Sequence, residues 1–154
     1  MVICAAIKSS RIIESLGHNY PMVPILGQVL DLELNSEDAE WKNWPAVISI
    51  AGINLIPQGK NRLLVGATIE EGSQASEDAL KKLKALNGKA PNWLKEASVV
   101  KHWHGIRAKP IGQSSPLLIQ LEKGLILASG HYRNGILLAP ATAEWVANQL
   151  AINS

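Results

Sequence analysis

The apolar positions of this chain fall mostly into short runs of strand length, separated by polar or glycine-rich turns. Residues 27–34 show the clearest alternation, with Leu30, Leu32 and Leu34 on one side, which predicts a half-buried strand. Similar runs predict further strands at residues 1–6, 46–50, 53–56, 62–70, 97–107, 116–120 and 124–128. A turn-forming segment at 57–61 and the closeness of these runs favour antiparallel neighbours joined by hairpins.

Helical periodicity is clearest after Ser76, where a capping residue and two acidic residues precede apolar positions three or four apart. The pair Asn87-Gly88 is typical of the end of such a helix. Weaker signals predict short helices at residues 9–16 and 91–94, and irregular chain at residues 18–24 and in the loop 35–45 with Trp41 and Trp44. Because strands come in runs and do not alternate with helices, the pattern predicts an α+β fold with a mixed, mostly antiparallel sheet and helices on one face.

Residues 124–150 contain the most organised stretch of the chain. A buried strand is followed by a glycine-bracketed turn at residues 130–135 and then by a helical pattern through residue 150. Proline is tolerated only near the start of a helix, so Pro140 predicts a helix that begins close to Gly135. The free N–H groups of such a helix start suit an anion or an electron-rich ring atom.

Composition excludes several classes of protein. The chain has 154 residues, of which 47% are hydrophobic and 18% charged, which indicates a globular domain or little more. A net charge of +2 does not favour nucleic acid or an anionic membrane as a partner. With Cys4 as the sole cysteine, with no apolar run of roughly 18 residues and with no signal-type N-terminus, we expect a cytoplasmic protein without a membrane segment.

Few residue patterns point to catalysis by the chain itself. His102 and His104 share one face of a predicted strand and could hold a metal, but no further ligand has suitable spacing, so we expect no metal and consider a solvated or hydrogen-bonded pair the better interpretation. Cys4 lacks an activating neighbour in the sequence, and no Gly-x-Ser-x-Gly, Gly-x-Gly-x-x-Gly or Walker motif occurs.

Two arginines point more clearly to a binding site. Arg107 ends a predicted strand in apolar company, and Arg133 lies in the glycine turn. Two guanidinium groups facing one cleft would bind a carboxylate through paired donors. Periodicity alone leaves the alternative open that both are ordinary surface residues.

Five segments share one further property, a match to the sequence of a known family. They are Gly130-His131-Tyr132-Arg133-Asn134-Gly135-Ile136-Leu137-Leu138-Ala139-Pro140, Trp103-His104-Gly105-Ile106-Arg107, Leu64-Val65-Gly66-Ala67-Thr68, Pro24-Ile25-Leu26-Gly27-Gln28 and Ile3-Cys4-Ala5-Ala6. The chain resembles the C-terminal portion of the FAD-dependent glycine oxidase and D-amino-acid oxidase family, especially the glycine oxidases of thiamine biosynthesis. Departures include Ile7 after Ala-Ala, Ala108 after the strand arginine and Leu118-Ile119 in place of Ile-Gly.

The resemblance implies that FAD is the cofactor and that the dinucleotide-binding Rossmann part precedes the residues present here. Residues 1–16 would then be a strand and helix of the FAD-binding domain, residues 17–123 the substrate-binding α+β domain, and residues 124–154 the strand, glycine turn and helix that return to the FAD domain. We expect this chain alone not to hold FAD, and a separate FAD-binding polypeptide is a possible partner.

The resemblance also implies roles for individual residues. Arg107 and Arg133 would bind the substrate carboxylate, and Asn54 would occupy the place of a pocket tyrosine. The cofactor-binding residues would be Gly130, His131, Asn134, Gly135, Ile136 and Leu137, the last three through N–H groups that face the flavin. The implied reaction is oxidative deamination of glycine or of a small D-amino acid or secondary amine, without activity in the absence of the FAD-binding half.

Two alternatives remain. The chain could be a stand-alone binding or assembly module, or a degenerate relic without redox activity. An incomplete domain would leave apolar surface exposed where the FAD-binding part should pack, so we expect self-association into a homo-oligomer.

Overall fold

The computed structural model describes residues 1–35, 44–59 and 61–152, so Trp41 and Lys60 of the predicted loop and turn lie outside the described residues. Contacts divide the chain into two compact units, one formed by residues 1–25 and 106–154 and the other by residues 26–105. In chain order, the strands are β1 (Val2–Ile3), β2 (Met22–Glu33), β3 (Ile48–Ile50), β4 (Ile53–Gln58), β5 (Arg62–Gly66), β6 (Glu70–Glu71), β7 (Ser98–Pro110), β8 (Leu117–Glu122) and β9 (Leu125–Ser129). The α-helices are α1 (Ser9–Glu14), α2 (Glu77–Lys84), α3 (Asn92–Glu96) and α4 (Gly135–Ile152).

The first unit contains a three-stranded sheet in the order β1-β9-β8. Strand β1 is parallel to β9, with Val2 opposite Ile126, and β8 is antiparallel to β9. Every residue of β9 is buried, which confirms the buried strand predicted from its apolar run. The core of this unit includes Ile3, Ile13 and Leu127.

The turn after β1 is fixed by two buried hydroxyl groups. Ser9 Oγ accepts a hydrogen bond from the backbone N–H of Ala5 at 3.0 Å and donates to Ser129 Oγ at 3.0 Å. Ser129 Oγ in turn donates to the carbonyl of Ala6 at 3.1 Å. Because Ala6 turns the chain with φ of 48°, the prediction of a strand through residue 6 is wrong beyond Ile3.

The second unit contains an antiparallel sheet in the order β3-β4-β5-β2-β6, and β7 also pairs with β2. Its core joins buried leucines from three of these strands to leucines from the helical segments 77–96. These residues are Leu30, Leu32, Leu55, Leu63, Leu83, Leu86 and Leu94. The mostly antiparallel α+β fold predicted from the sequence is confirmed.

Several predicted boundaries are wrong. β2 begins at Met22, five residues before the predicted start, because the extended backbone that Pro24 imposes is compatible with a strand. The predicted strand 62–70 ends at Gly66 and resumes as β6, and between the two strands Thr68 N–H donates to the carbonyl of Gln28 at 3.1 Å. α4 begins at Gly135 as predicted, but Pro140 lies inside the helix and leaves the carbonyl of Ile136 without its helical donor.

A polar cluster connects β2, β6 and the start of α2 in the second unit. Gln28 is only 2% exposed, and its Nε2 donates to Glu70 Oε1 at 3.0 Å and to the carbonyl of Ser76 at 2.8 Å. Glu70 also accepts hydrogen bonds from Thr68 Oγ1 and from Ser76 N–H. Ser76 Oγ accepts from Ala79 N–H at 3.3 Å, which confirms the predicted helix cap.

The environment of Glu70 shifts its acidity. Burial would raise the pKa of Glu70, but hydrogen bonds from Thr68, Ser76 and Gln28, together with nearby His104, outweigh burial and leave the pKa below its ordinary value. The folded state therefore favours the carboxylate. The Glu70 carboxylate therefore stabilises the folded protein at pH values above the pKa that Glu70 has in the unfolded chain. This stabilisation is lost as the pH falls through the lower pKa that Glu70 has in the folded protein.

We expect Glu70→Gln to destabilise the protein at neutral pH by about 1–3 kcal/mol, because one carboxylate acceptor is replaced by an amide donor opposite Ser76 N–H. The difference from the unchanged protein should shrink as the pH falls into the acidic range. Urea unfolding at several pH values measures both quantities. The neighbouring exposed residue provides the control, Glu71→Gln, which should cost little at any pH. Equal losses for the two variants would contradict the assignment.

Candidate functional site

A cleft of about 680 Å³ lies in the first unit, bounded by β1, the end of β7, the end of β9 and α4. The α4 side consists mainly of small or β-branched residues, namely Ala139, Thr142, Ala143, Val146 and Ala147. Cys4 and Ala6 contribute from the segment after β1, and Arg107 contributes from β7. The cleft is therefore mainly apolar with a few polar groups, as ligand sites commonly are.

The turn between β9 and α4 is packed too closely for a side chain at its first residue. Gly130 is buried with φ of 66°, and a Cβ atom there would lie 2.8 Å from Pro110 Cγ and 3.2 Å from Leu117 Cγ. Later in the turn, Tyr132 has φ of 53°. Only glycine satisfies both the backbone conformation and the close contact at position 130.

The remainder of the turn leads directly into α4. Asn134 N–H donates to the carbonyl of His131 at 3.0 Å, and Leu138 N–H donates to the carbonyl of Asn134 at 2.9 Å. Leu138 is the first residue of α4 whose N–H bonds to a carbonyl four residues before it. The amides of Gly135 and the next two residues come before that point and have no such helical partner. This end of α4 can consequently receive an anion or a ring carbonyl.

His131 ties the turn to the body of α4. Its Nε2 lies 2.8 Å from Thr142 Oγ1, two turns into the helix. Burial lowers the pKa of His131, so the neutral imidazole is favoured in the cleft. The neutral ring can hold Thr142 without adding a charge.

Two basic residues near the end of β7 lie in or beside the elements that form the cleft. Arg107 is half-buried in its lining. Lys109, two residues along β7, places its Nζ 5.8 Å from the ring centroid of Tyr132, a cation–π contact that steadies the turn. Together with the start of α4, these groups make the first unit receptive to a carboxylate or another anion.

The structure places the predicted residues in three groups. Arg107, Gly130, His131 and Gly135 line the cleft. Arg133, Asn134, Ile136 and Leu137 lie in the turn and the first helical turn, outside the cleft lining, and Ile136 and Leu137 are 96% and 79% exposed. Asn54 belongs to the second unit, where it lies on β4 and accepts a hydrogen bond from Ser49 Oγ.

Sequence reasoning missed Thr142 and did not assign Cys4 or Tyr132 to the site. The signal that could have found Thr142 is its position on α4 two turns after Asn134. His102 and His104 lie on the exposed part of β7. Among residues 1–35, 44–59 and 61–152, no three His, Cys, Asp or Glu side chains form a group that could hold a metal ion.

A family model described as DAO, FAD dependent oxidoreductase, matches residues 1–149. The chain belongs to this family of FAD-dependent oxidoreductases. It is 33% identical over 148 residues to the glycine oxidase of Pseudomonas putida. The aligned region covers 94% of this chain and 39% of that protein. Since the chain spans about two fifths of the relatives' length, the comparison describes a portion of those proteins.

Solved structures agree with the family. The glycine oxidase of Geobacillus kaustophilus superposes with a TM-score of 0.81 at 27% identity, covering 99% of this chain and 41% of that one. The fold is also that of iminodiacetate oxidase from Chelativorans sp. BNC1, with a TM-score of 0.82 at 22% identity over 97% of this chain and 42% of that one. In the described part of the chain, no helix combines the length and apolar character needed to span a membrane.

The start of α4 presents donor groups of a kind that suits the isoalloxazine edge of a flavin. The amides of Gly135, Ile136 and Leu137 lie at this helix start, where the side chains of Ile136 and Leu137 are largely exposed, and Gly130 allows the backbone of the turn to lie close to Pro110 of β7 and Leu117 of β8. A partial positive charge at a helix start favours a ring system that gains negative charge.

We expect Gly130→Ala to destabilise the protein by about 2–4 kcal/mol, because it adds backbone strain and a clash with Pro110. Gly124→Ala is the matched control, since Gly124 has φ of 81° but no atom within 4 Å of the added Cβ. The free energy of unfolding of the control should fall by only about 1 kcal/mol, the cost of the backbone strain alone. Urea unfolding of both variants separates strain from packing, and equal losses would show that the contact at Gly130 is unimportant.

Proposed function

We propose that this chain is the substrate-binding part of an FAD-dependent oxidoreductase that oxidatively deaminates glycine or a small D-amino acid or secondary amine. The observation that carries the proposal is the half-buried Arg107 in the same cleft as the glycine turn and the beginning of α4. A guanidinium group binds a carboxylate through paired hydrogen bonds, which suits an amino-acid substrate.

Each residue would have a specific task. Arg107 would bind the substrate carboxylate with help from Arg133. The turn residues Gly130, His131 and Asn134 would shape the cofactor edge, and the amides of residues 135–137 would donate hydrogen bonds to it. When bound, FAD supplies the acceptor for the hydride that leaves the substrate carbon. The chain contributes binding, orientation and exclusion of water.

The cofactor would need more protein than this chain provides. Residues 1–16 and 124–154 would belong to the FAD-binding domain and residues 17–123 to the substrate-binding domain. The apolar helix α4 has no buried residue, and Ile136, Leu137 and Ile152 are largely exposed. We propose that this surface packs against FAD-binding protein, either in the same polypeptide or in a separate one, and that the isolated chain lacks oxidase activity.

A direct test combines this chain with a polypeptide corresponding to the preceding portion of the Pseudomonas putida glycine oxidase, in the presence of FAD. We expect peroxide from glycine with the pair and none with either part alone. In the active pair, Arg107→Gln should raise KM for glycine by roughly 10- to 100-fold, the effect of losing a charged hydrogen-bond pair. Lys123→Gln, a change at an exposed residue outside the cleft lining, is the control.

A well-formed complex that binds FAD but never produces peroxide would contradict the oxidase proposal. The alternative is a stand-alone binding module, which is supported by a separate buried core in each unit. Calorimetry of the isolated chain with glycine distinguishes the two, because a module would bind the amino acid without flavin. Self-association through the exposed face of α4 would accompany the binding module, whereas in the oxidase the FAD-binding protein would cover that face.

A further inference from the structure

A second cavity, of about 450 Å³, lies in the second unit between α2 and residues of β2 and β7. All its lining residues fall within residues 28–102, and none of them is a residue assigned to carboxylate or cofactor binding above. The oxidase proposal therefore leaves this cavity without a role.

Gln28 lines the cavity with a polar group that is almost completely buried. The Nε2 atom donates to Glu70 Oε1 and to the Ser76 carbonyl, and these two oxygens fix the orientation of the amide, since a flipped amide would place oxygen against oxygen. Gln28 Oε1 receives no hydrogen bond from the residues that the structure describes. A buried acceptor without a donor costs roughly 1–3 kcal/mol, so a donor supplied by a ligand would be stabilising.

The remaining lining has two characters. Leu30 is buried and Leu80 is half-buried, and they supply apolar wall. Lys81 and Lys84 on α2 contribute two positive charges, and Glu77 contributes one negative charge. The Lys81 ammonium group lies 3.8 Å from Asp78, and both side chains are largely exposed. Asp78 therefore competes only weakly with a ligand for this ammonium group.

We propose that this cavity binds a small organic acid that has an apolar or aromatic body and a hydrogen-bond donor at the end opposite its carboxylate. The carboxylate would face Lys84 and Lys81, the body would pack against Leu30 and Leu80, and the donor would reach Gln28 Oε1. His102 at the lining would add a further donor to the anionic end. The site is distinct from the cleft beside Arg107 and does not depend on the oxidase activity.

The test uses three probes on the whole chain, followed by amide chemical shifts in NMR titrations. The first, 4-hydroxybenzoate, carries both the anion and the donor. Benzoate lacks the donor, and 4-hydroxybenzyl alcohol lacks the charge. We expect 4-hydroxybenzoate to bind about 10-fold more tightly than either analogue, the effect of one hydrogen bond or one charge contact. The shifts should centre on residues 75–84 and on Gln28.

Two variants assign the contacts. Lys84→Gln should weaken the binding of 4-hydroxybenzoate and benzoate but leave the affinity for 4-hydroxybenzyl alcohol unchanged. Lys82→Gln, on the same helix but outside the lining, should change the affinity for none of the three probes. Gln28→Met should remove the preference for 4-hydroxybenzoate over benzoate. If Gln28→Met does not fold, because Gln28 also holds Glu70 and Ser76, the probe series and Lys84→Gln still decide.

Three results would overturn the inference. They are the absence of shifts at millimolar probe, equal affinity for all three probes, and shifts confined to residues outside the cavity. The proposal would fail on these results even if the paired polypeptides oxidise glycine, and it would survive a negative peroxide assay.

Discussion

The close contact of Gly130 with Pro110 and Leu117 is the constraint on which the first unit depends. No Cβ fits at this position, so the residue must be glycine. Because glycine has no Cβ, the chain can leave β9 in a left-handed conformation and turn at once into α4. The same turn directs His131 to Thr142 and makes the carbonyl of Asn134 the first acceptor of the helix. A larger residue at position 130 would move the turn away from Pro110 of β7 and Leu117 of β8. Gly135 at the start of α4 and Arg107 would then no longer share the lining of one cleft.

The second unit depends on a different kind of interaction. Gln28, Glu70, Thr68 and Ser76 hydrogen-bond to one another around the buried Gln28 amide, and they join two strands to the N-terminus of α2. A buried polar group is costly when it lacks a partner and specifies one arrangement when it has one. Among the residues that the structure describes, none donates to Gln28 Oε1, and this acceptor gives the adjoining cavity a defined chemical preference.

The two units suggest a division of labour that suits a flavoprotein. The cofactor of such an enzyme performs the oxidation, and the protein supplies position and charge. The first unit provides a helix start, a glycine turn and an arginine, all of which favour negative charge. Its helix α4 buries none of its own residues, although it is rich in apolar side chains.

The sequence alone determined the fold class, the family and most of the elements, since these follow from local patterns such as the alternation of residues 27–34, the cap at Ser76 and the glycine turn. Tertiary structure decided where β2 begins and where the strand after Arg62 stops, because these depend on partners distant in the chain. It also decided that Thr142 meets His131 and that Gln28 Oε1 has no donor among the residues that the structure describes. No local pattern encodes such contacts, because each requires side chains that folding alone brings together.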